Sequence, residues 1–249
     1  MNERRGWWRR LGGRALDLLY PPLCEHCRIG LTNNSWLCSA CAARLPRISA
    51  PFCTTCGEPF FGNIESAFAC PNCQDVSLAF DFARAALNGD SEDARSLVHA
   101  LKYRRGLHLG RDLAVLMAEA FSDPRLAAAL EAKWPLIPIP LHPKRLRKRQ
   151  FNQAGELAHH LGRLLDLPVV PALRRVRATP TQTRLSRKHR LENLSGAFAL
   201  APGADRLSGS PVILIDDVLT TGATSHECAK VLKGQAGVTA VAVVTLLRS

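Results

Sequence analysis

From residue 80 to the end of the chain, short apolar runs alternate with amphipathic stretches. Residues 82–87 (FARAAL) read as a strand, and Asn88, Gly89, Asp90 and Ser91 as a turn carrying a helix cap. Residues 92–103 then place Leu97, Val98 and Leu101 at helical spacing. Residues 107–121 repeat that pattern, and 124–133 do so more weakly. LIPIP at 136–140 is a short apolar strand that runs into a proline-kinked loop. Residues 152–165 set Leu157, Ala158, Leu161, Leu164 and Leu165 on one helical face. Val169 with Val170, residues 212–215 and residues 238–246 supply further strands, and 225–233 a further helix. Strands alternating with helices predict an α/β domain, a mostly parallel sheet covered on both faces.

The most informative stretch is residues 211–225, PVILIDDVLTTGATS. Val212, Ile213, Leu214 and Ile215 run without interruption, as a strand buried on both faces does. Asp216 and Asp217 stand where that strand is expected to end. Thr220, Thr221, Gly222, Ala223 and Thr224 form a small, hydroxyl-rich turn leading into a helix. Backbone N–H groups at that helix start suit a phosphate, and the carboxylates suit a polyol or a metal-bound group. An isolated pair of aspartates is often a solvated turn or a helix cap. The apolar run before it and the T-T-G-x-T after it give the pair its significance. Ligands of parallel sheets bind outside the carboxyl ends of the strands. Two more segments are expected there. One is the loop after Pro140, HPKRLRKRQFNQ. The other is residues 178–198, ATPTQTRLSRKHRLENLSGAF, a weakly patterned basic stretch that reads as a lid.

Charge sharpens this picture. The formal net charge is +12, and residues 142–190 hold thirteen Lys/Arg against only Glu156 and Asp166. A polyanionic partner is implied, either a pyrophosphate-bearing metabolite or nucleic acid, with a solvated basic surface as the plainer alternative. The 47% hydrophobic and 22% charged content excludes wholesale disorder. No apolar run approaches the roughly 20 residues of a membrane span. Asp17, Pro21 and Pro22 interrupt the stretch after the first arginines, so no signal peptide is read and a cytoplasmic location is expected. Trp7, Trp8, Leu11, Leu16, Leu18 and Leu19, mixed with arginines, outline a short basic amphipathic helix. It could touch a membrane, nucleic acid or the rest of the protein.

Eight of the nine cysteines form four C-x-x-C pairs: Cys24/Cys27, Cys38/Cys41, Cys53/Cys56 and Cys70/Cys73. Two such pairs complete a four-sulfur zinc site with no open position, which makes the sites structural. Sequential pairing gives two zinc ribbons, and spacing also allows an interleaved arrangement. A cytoplasmic setting disfavours the disulfide alternative. Gly57 suits the knuckle after Cys56. The stretch has few apolar residues, so metal binding is expected to supply its folding energy. Cys228 reads as a small core residue. The organisation expected is a basic N-terminal segment at 1–22, a double zinc ribbon at 23–78 and the α/β domain at 79–249.

VILIDDVLTTGAT at 212–224 resembles the phosphoribosyl-pyrophosphate (PRPP) signature of type I phosphoribosyltransferases. The cysteine pairs, LKYRRG at 101–106, PLHPKRLRKRQFNQA at 140–154 and TQTRLSRKHRLENLSGAF at 181–198 resemble the ComF/GntX family of competence-associated proteins of that superfamily. The resemblance runs from about Leu18 to the end. It departs at Gln150, where a glycine is expected before Phe–Asn–Gln. It implies a type I phosphoribosyltransferase-like core, with Thr220 to Thr224 holding the 5-phosphate and Asp216 and Asp217 holding the ribose hydroxyls, directly or through Mg2+. Lys102, Pro140, Leu141, His142 and Arg145 would meet the pyrophosphate. Lys102, Arg187 and Arg190 would join the two aspartates in catalysis. His142 and His189 read as polar loop residues rather than acid–base groups. The activity implied is transfer of phosphoribose from PRPP to a base or amine. The alternative is a non-catalytic module that senses PRPP or handles single-stranded DNA through the basic segment and zinc ribbons, with single-stranded DNA or DNA-uptake proteins as partners. Few aromatics in the basic run weigh against a base-stacking surface.

Overall fold

The computed structural model describes residues 22–32, 35–60, 70–74, 76–103, 106–178 and 193–249. The chain divides into two compact units, Met1–Leu45 and Pro46–Ser249. Among the described residues of the first, an isolated bridge joins Leu23 to Gly30, and a helix, α1 (Ser39–Arg44), starts at Cys38, whose sulfur accepts from Cys41 N.

The second unit begins with a strap, residues 46–57, laid along the edge of strand β1 (Phe82–Asn88). Asn88 N donates to Pro46 O (2.9 Å), Ile48 N to Ala86 O (3.1 Å) and Ala83 N to Thr55 O (2.8 Å). A one-turn helix, α2 (Pro71–Gln74), lies between. After β1 come α3 (Glu92–Tyr103), α4 (Gly110–Ala118) with a 3-10 turn at each end, and α5 (Pro124–Glu131). The expected single helix over 107–121 is thus three pieces. The chain continues through β2 (Leu136–Pro138), α6 (Pro143–Arg149), α7 (Gln153–Leu165), β3 (Leu173–Arg175), β4 (Phe198–Leu200), β5 (Val212–Leu219), α8 (Ala223–Ala236) and β6 (Val241–Arg248).

The main sheet has the order β1-β6-β5-β2 and is parallel throughout, which bears out the α/β expectation. Val212, Leu214, Val241 and Val243 point to one face and pack with Phe198, Cys228, Ala229 and Leu232. Alternation sends Ile213 and Ile215 to the other face, where α4 and α7 pack on each other and on the sheet. Both faces are therefore covered, as uninterrupted apolar strands require. Cys228 is fully buried, in keeping with a core role.

Further elements differ from expectation. β5 does not stop at Ile215: parallel pairing with β6 carries it through Asp216 (opposite Thr245) to Leu219 (opposite Arg248). The acids therefore sit inside a paired strand. The basic stretch after Pro140 is not a loop but helix α6, with Pro143 in its first turn and His142 Nδ1 accepting from Lys144 N at 3.2 Å. Proline at a helix start and Lys, Arg and Leu beyond it are good helix chemistry, which the density of charge obscured. Val169 makes only an isolated bridge to Leu136. An antiparallel pair, β3 with β4, has no counterpart in the pattern reading. Of the expected lid, residues 179–192 lie outside the described residues, and its end, Phe198, belongs to β4.

Candidate functional site

Sheet topology brings the carboxyl end of β2 beside the middle of β5. Ile139 N donates to Ile215 O (3.0 Å), so Pro140, Leu141 and His142 leave β2 next to Asp216 and Asp217. Asp217 is buried, and its Oδ2 meets Lys102 Nζ, from the last turn of α3, at 3.0 Å. Asp217 N donates to Asp216 Oδ1 (2.9 Å). Burial first, and the Asp217 charge second, push the Asp216 carboxyl up to about 7, against the pull of Asp217 N–H, Lys102 and Arg175. The two acids thus differ: one is held by an ammonium group, and the other is poised to lose a proton near neutrality.

Beyond β5 the chain turns through Thr220 and Thr221 to Gly222, whose φ of +78° begins α8. A side chain there would meet the Phe80 ring at 3.4 Å in a left-handed conformation, so glycine suits both demands. Ala223 and Thr224 open the 14-residue helix, and their N–H groups lie at its positive end. Desolvation, then Arg175, Lys144, Arg145 and Arg147, hold His142 below its ordinary value. This imidazole caps α6 and sits in a cationic field.

The cysteines gather as Cys24, Cys27, Cys38 and Cys41 in one cluster and Cys53, Cys56, Cys70 and Cys73 in the other, with sulfurs within 4.8 Å of one another in each. Pairing is sequential, and the interleaved alternative is not what the chain builds. Cys27 and Cys38 sulfurs stand 3.7 Å apart and Cys56 and Cys70 sulfurs 3.5 Å. A tetrahedral zinc with Zn–S near 2.3 Å has sulfurs about 3.8 Å apart, so the donor sets fit. Backbone N–H groups also point at sulfur: Cys38 N to Cys24 (3.4 Å), Cys41 N to Cys38 (3.3 Å) and Cys70 N to Cys53 (3.3 Å). Burial raises the Cys24 and Cys53 thiols, but such amide bonds outweigh it and bring them to about 6 and about 7. Burial pushes Cys41, Cys70 and Cys73 up, the last to about 11. Gly57, at φ +70°, turns the second knuckle against Ala83 O, with only 2.8 Å for a side chain.

The family model described as Double zinc ribbon domain matches residues 15–74, the stretch that holds both clusters. These sites support structural Zn2+. Competence protein F of Haemophilus influenzae is 33% identical over 84% of this chain and 90% of its own length. The chain belongs to the ComF family. Two further ComF-type relatives are DNA utilization protein YhgH of Escherichia coli (strain K12) and Competence protein ComFC of Bacillus subtilis. The first is 32% identical over 86% of this chain and 92% of its own. The second is 26% identical over 95% and 89%.

In this ComF-family chain the structure brings together Lys102, Asp216, Asp217, Thr220 to Thr224, Pro140, Leu141, His142 and Arg145. Arg187 and Arg190 lie outside the described residues, as do His189, Arg104 and Arg105 of LKYRRG, and the N-terminal Trp/Arg segment. One residue escaped the pattern reading. Arg175, at the end of β3, is largely desolvated, which lowers its pKa, and it faces Arg145, Cys228 and Asp216. Its signal was weak because Arg174 and Arg175 read as part of the basic run rather than as a strand. Gln150, where glycine is expected, ends α6 at φ +70°, a conformation that glycine adopts without strain. Among the described residues no helix is long and apolar enough to cross a membrane.

Proposed function

We propose that this ComF-family protein binds PRPP with Mg2+ and transfers its phosphoribosyl group to a base or amine. The observation that carries the reading is the Asp217–Lys102 pair in β5, just past the end of β2 and a few residues before a glycine-started helix. Thr220 to Thr224 would hold the 5-phosphate through N–H groups and hydroxyls. Asp216 and Asp217 would take the ribose hydroxyls or a bound cation. Mg2+ prefers a few carboxylates plus substrate oxygens, and it would offset charge on the departing pyrophosphate. Pro140, Leu141, His142, Arg145 and Lys102, joined by Arg175 and by Arg187 and Arg190 of the lid, would surround that leaving group. An aspartate beside the sugar would stabilise positive charge growing on its anomeric carbon. Closure of the lid would exclude water, which otherwise intercepts the activated sugar.

A second reading, binding of single-stranded DNA, draws on one surface. Tyr103 is 59% exposed, with the His99 ring 4.7 Å away and the Arg149 guanidinium 5.1 Å above it, beside the cations of α6. Stacking aromatics next to basic side chains suit unpaired bases. The relatives named for competence and DNA utilization are consistent with it. Titration of PRPP with and without Mg2+ tests the first reading. The parent chain is expected to bind only with the cation, and Asp217→Asn to lose binding. Unchanged binding in that variant sinks the assignment. For the second reading, oligonucleotide affinity is expected to fall steeply with salt and to survive Asp217→Asn.

A further inference from the structure

Two sets of contacts join the second cysteine cluster to the turn that precedes α8, and both lie within the larger unit. Arg248 closes β6 and is 5% exposed. Its Nη1 donates to Thr220 O (2.7 Å), Leu219 O (3.1 Å) and Ser249 O (2.7 Å). Its Nη2 points the other way, to Cys56 Sγ (3.7 Å), and pairs with Glu58. One guanidinium thus holds two carbonyls of the turn with one nitrogen and a metal-ligating sulfur with the other. The second contact is the chain leaving the cluster. Ala79 N donates to His226 Nδ1 (3.0 Å) in the first turns of α8, and Phe80 and Leu78 lie against Gly222. The knuckle itself is anchored to the sheet and to α5. Thr55 O accepts from Ala83 N (2.8 Å), and Thr54 O from Arg125 Nη1 (2.8 Å).

The fork of donors explains why an arginine stands there. Four thiolates around Zn2+ carry a net charge of −2, and a buried anion needs a nearby cation or donors. Arg248 shares its charge with Glu58, so what it brings to the cluster is an N–H donor to Cys56, while its other nitrogen spans the end of β5. A lysine would offer the charge without the fork.

We propose that Arg248 is a positioning residue through which the filled second cluster fixes the Leu219–Thr220 backbone and hence the start of α8. This deepens the PRPP reading, since that turn is the one assigned to the 5-phosphate, but the brace exists without ligand. Coupling of this kind is reciprocal: loosening the arginine must also loosen the metal.

The test uses the full chain. In hydrogen–deuterium exchange without PRPP, the peptide covering residues 217–226 is expected to exchange severalfold faster in Arg248→Met than in the parent, with Arg248→Lys between. Cys27→Ser, in the other cluster, is expected to leave that peptide unchanged. Zinc loss is followed in the Cys27→Ser background, where the second cluster alone is intact. Adding Arg248→Met is expected to weaken zinc retention about tenfold, the range seen when partners of metal ligands are removed. Parental exchange at 217–226 and parental zinc retention in a folded Arg248→Met chain overturn the proposal. If that variant does not fold, Arg248→Lys against the parent decides by the same two readings. Neither reading needs PRPP, so a parent that fails to bind PRPP counts against the proposed function alone.

Discussion

Neighbouring residues of a strand face opposite sides of a sheet, and β5 uses this to give two adjacent carboxylates different surroundings. Asp217 turns to Lys102. Asp216 turns toward Arg175 and Cys228, where burial holds its pKa at about 7 instead of the ordinary 3.8. A carboxyl whose folded pKa is raised binds its proton more tightly in the folded state. Its favourable contribution is complete below the unfolded pKa and is lost as pH rises through the folded value. Thermal melts should show this. Asp216→Asn, which mimics the protonated form, is expected to match the parent near about pH 4 and to be the more stable chain by about pH 8. A gap between the two that does not change with pH contradicts the assignment. Ligand binding through the ionised Asp216 carries the opposite sign and tightens over the same interval.

At the scale of elements, residues 92–103 form the helix that Leu97, Val98 and Leu101 outlined, because one apolar stripe and a Ser91 cap leave little choice. The cysteine clusters and the apolar part of β5 were equally legible, since their spacing or composition admits few structures. The elements that escaped notice owe their form to neighbours. Pairing with β6 extends β5 past its apolar run, and β3 and β4, three residues each, exist only because they pair with each other. The role of Arg248 depends on contacts with Cys56 and Thr220, distant in sequence, and no local pattern announces them. Helix α6 shows the reverse case, local chemistry that was present but read as loop. Its end gives a direct check: Gln150 adopts φ +70°, so Gln150→Gly is expected to add up to about 1 kcal/mol of stability in urea denaturation. A loss of stability would show that the Gln150 side chain makes a contact outweighing the strain.

At the scale of the whole molecule, metal takes in the smaller unit the part that apolar burial plays in the larger. Among the described residues up to Leu45, the buried apolar side chains besides Cys24 and Cys41 are Leu37 and Leu45. That is too little to hold a fold, so removing zinc is expected to unfold residues 22–45. Native mass spectrometry should find two zinc ions per chain, and Cys27→Ser one. In the parent, chelation should unfold residues 22–45 first, read as rapid amide exchange there. Retained protection in metal-free protein would show that the segment folds without zinc.

The strap along β1 has a consequence for how these chains behave in company. An open parallel sheet has two bare edges, each able to recruit a strand from another molecule. Here residues 46–57 occupy the β1 edge, with Ile48 N on Ala86 O and Ala83 N on Thr55 O, and Val169 and Val170 shield part of β2. The segment that leads into the second cysteine cluster is therefore also a guard against self-association. A chain trimmed back to its parallel sheet would lose more than a metal site. It would expose the kind of edge from which strand-by-strand aggregation starts.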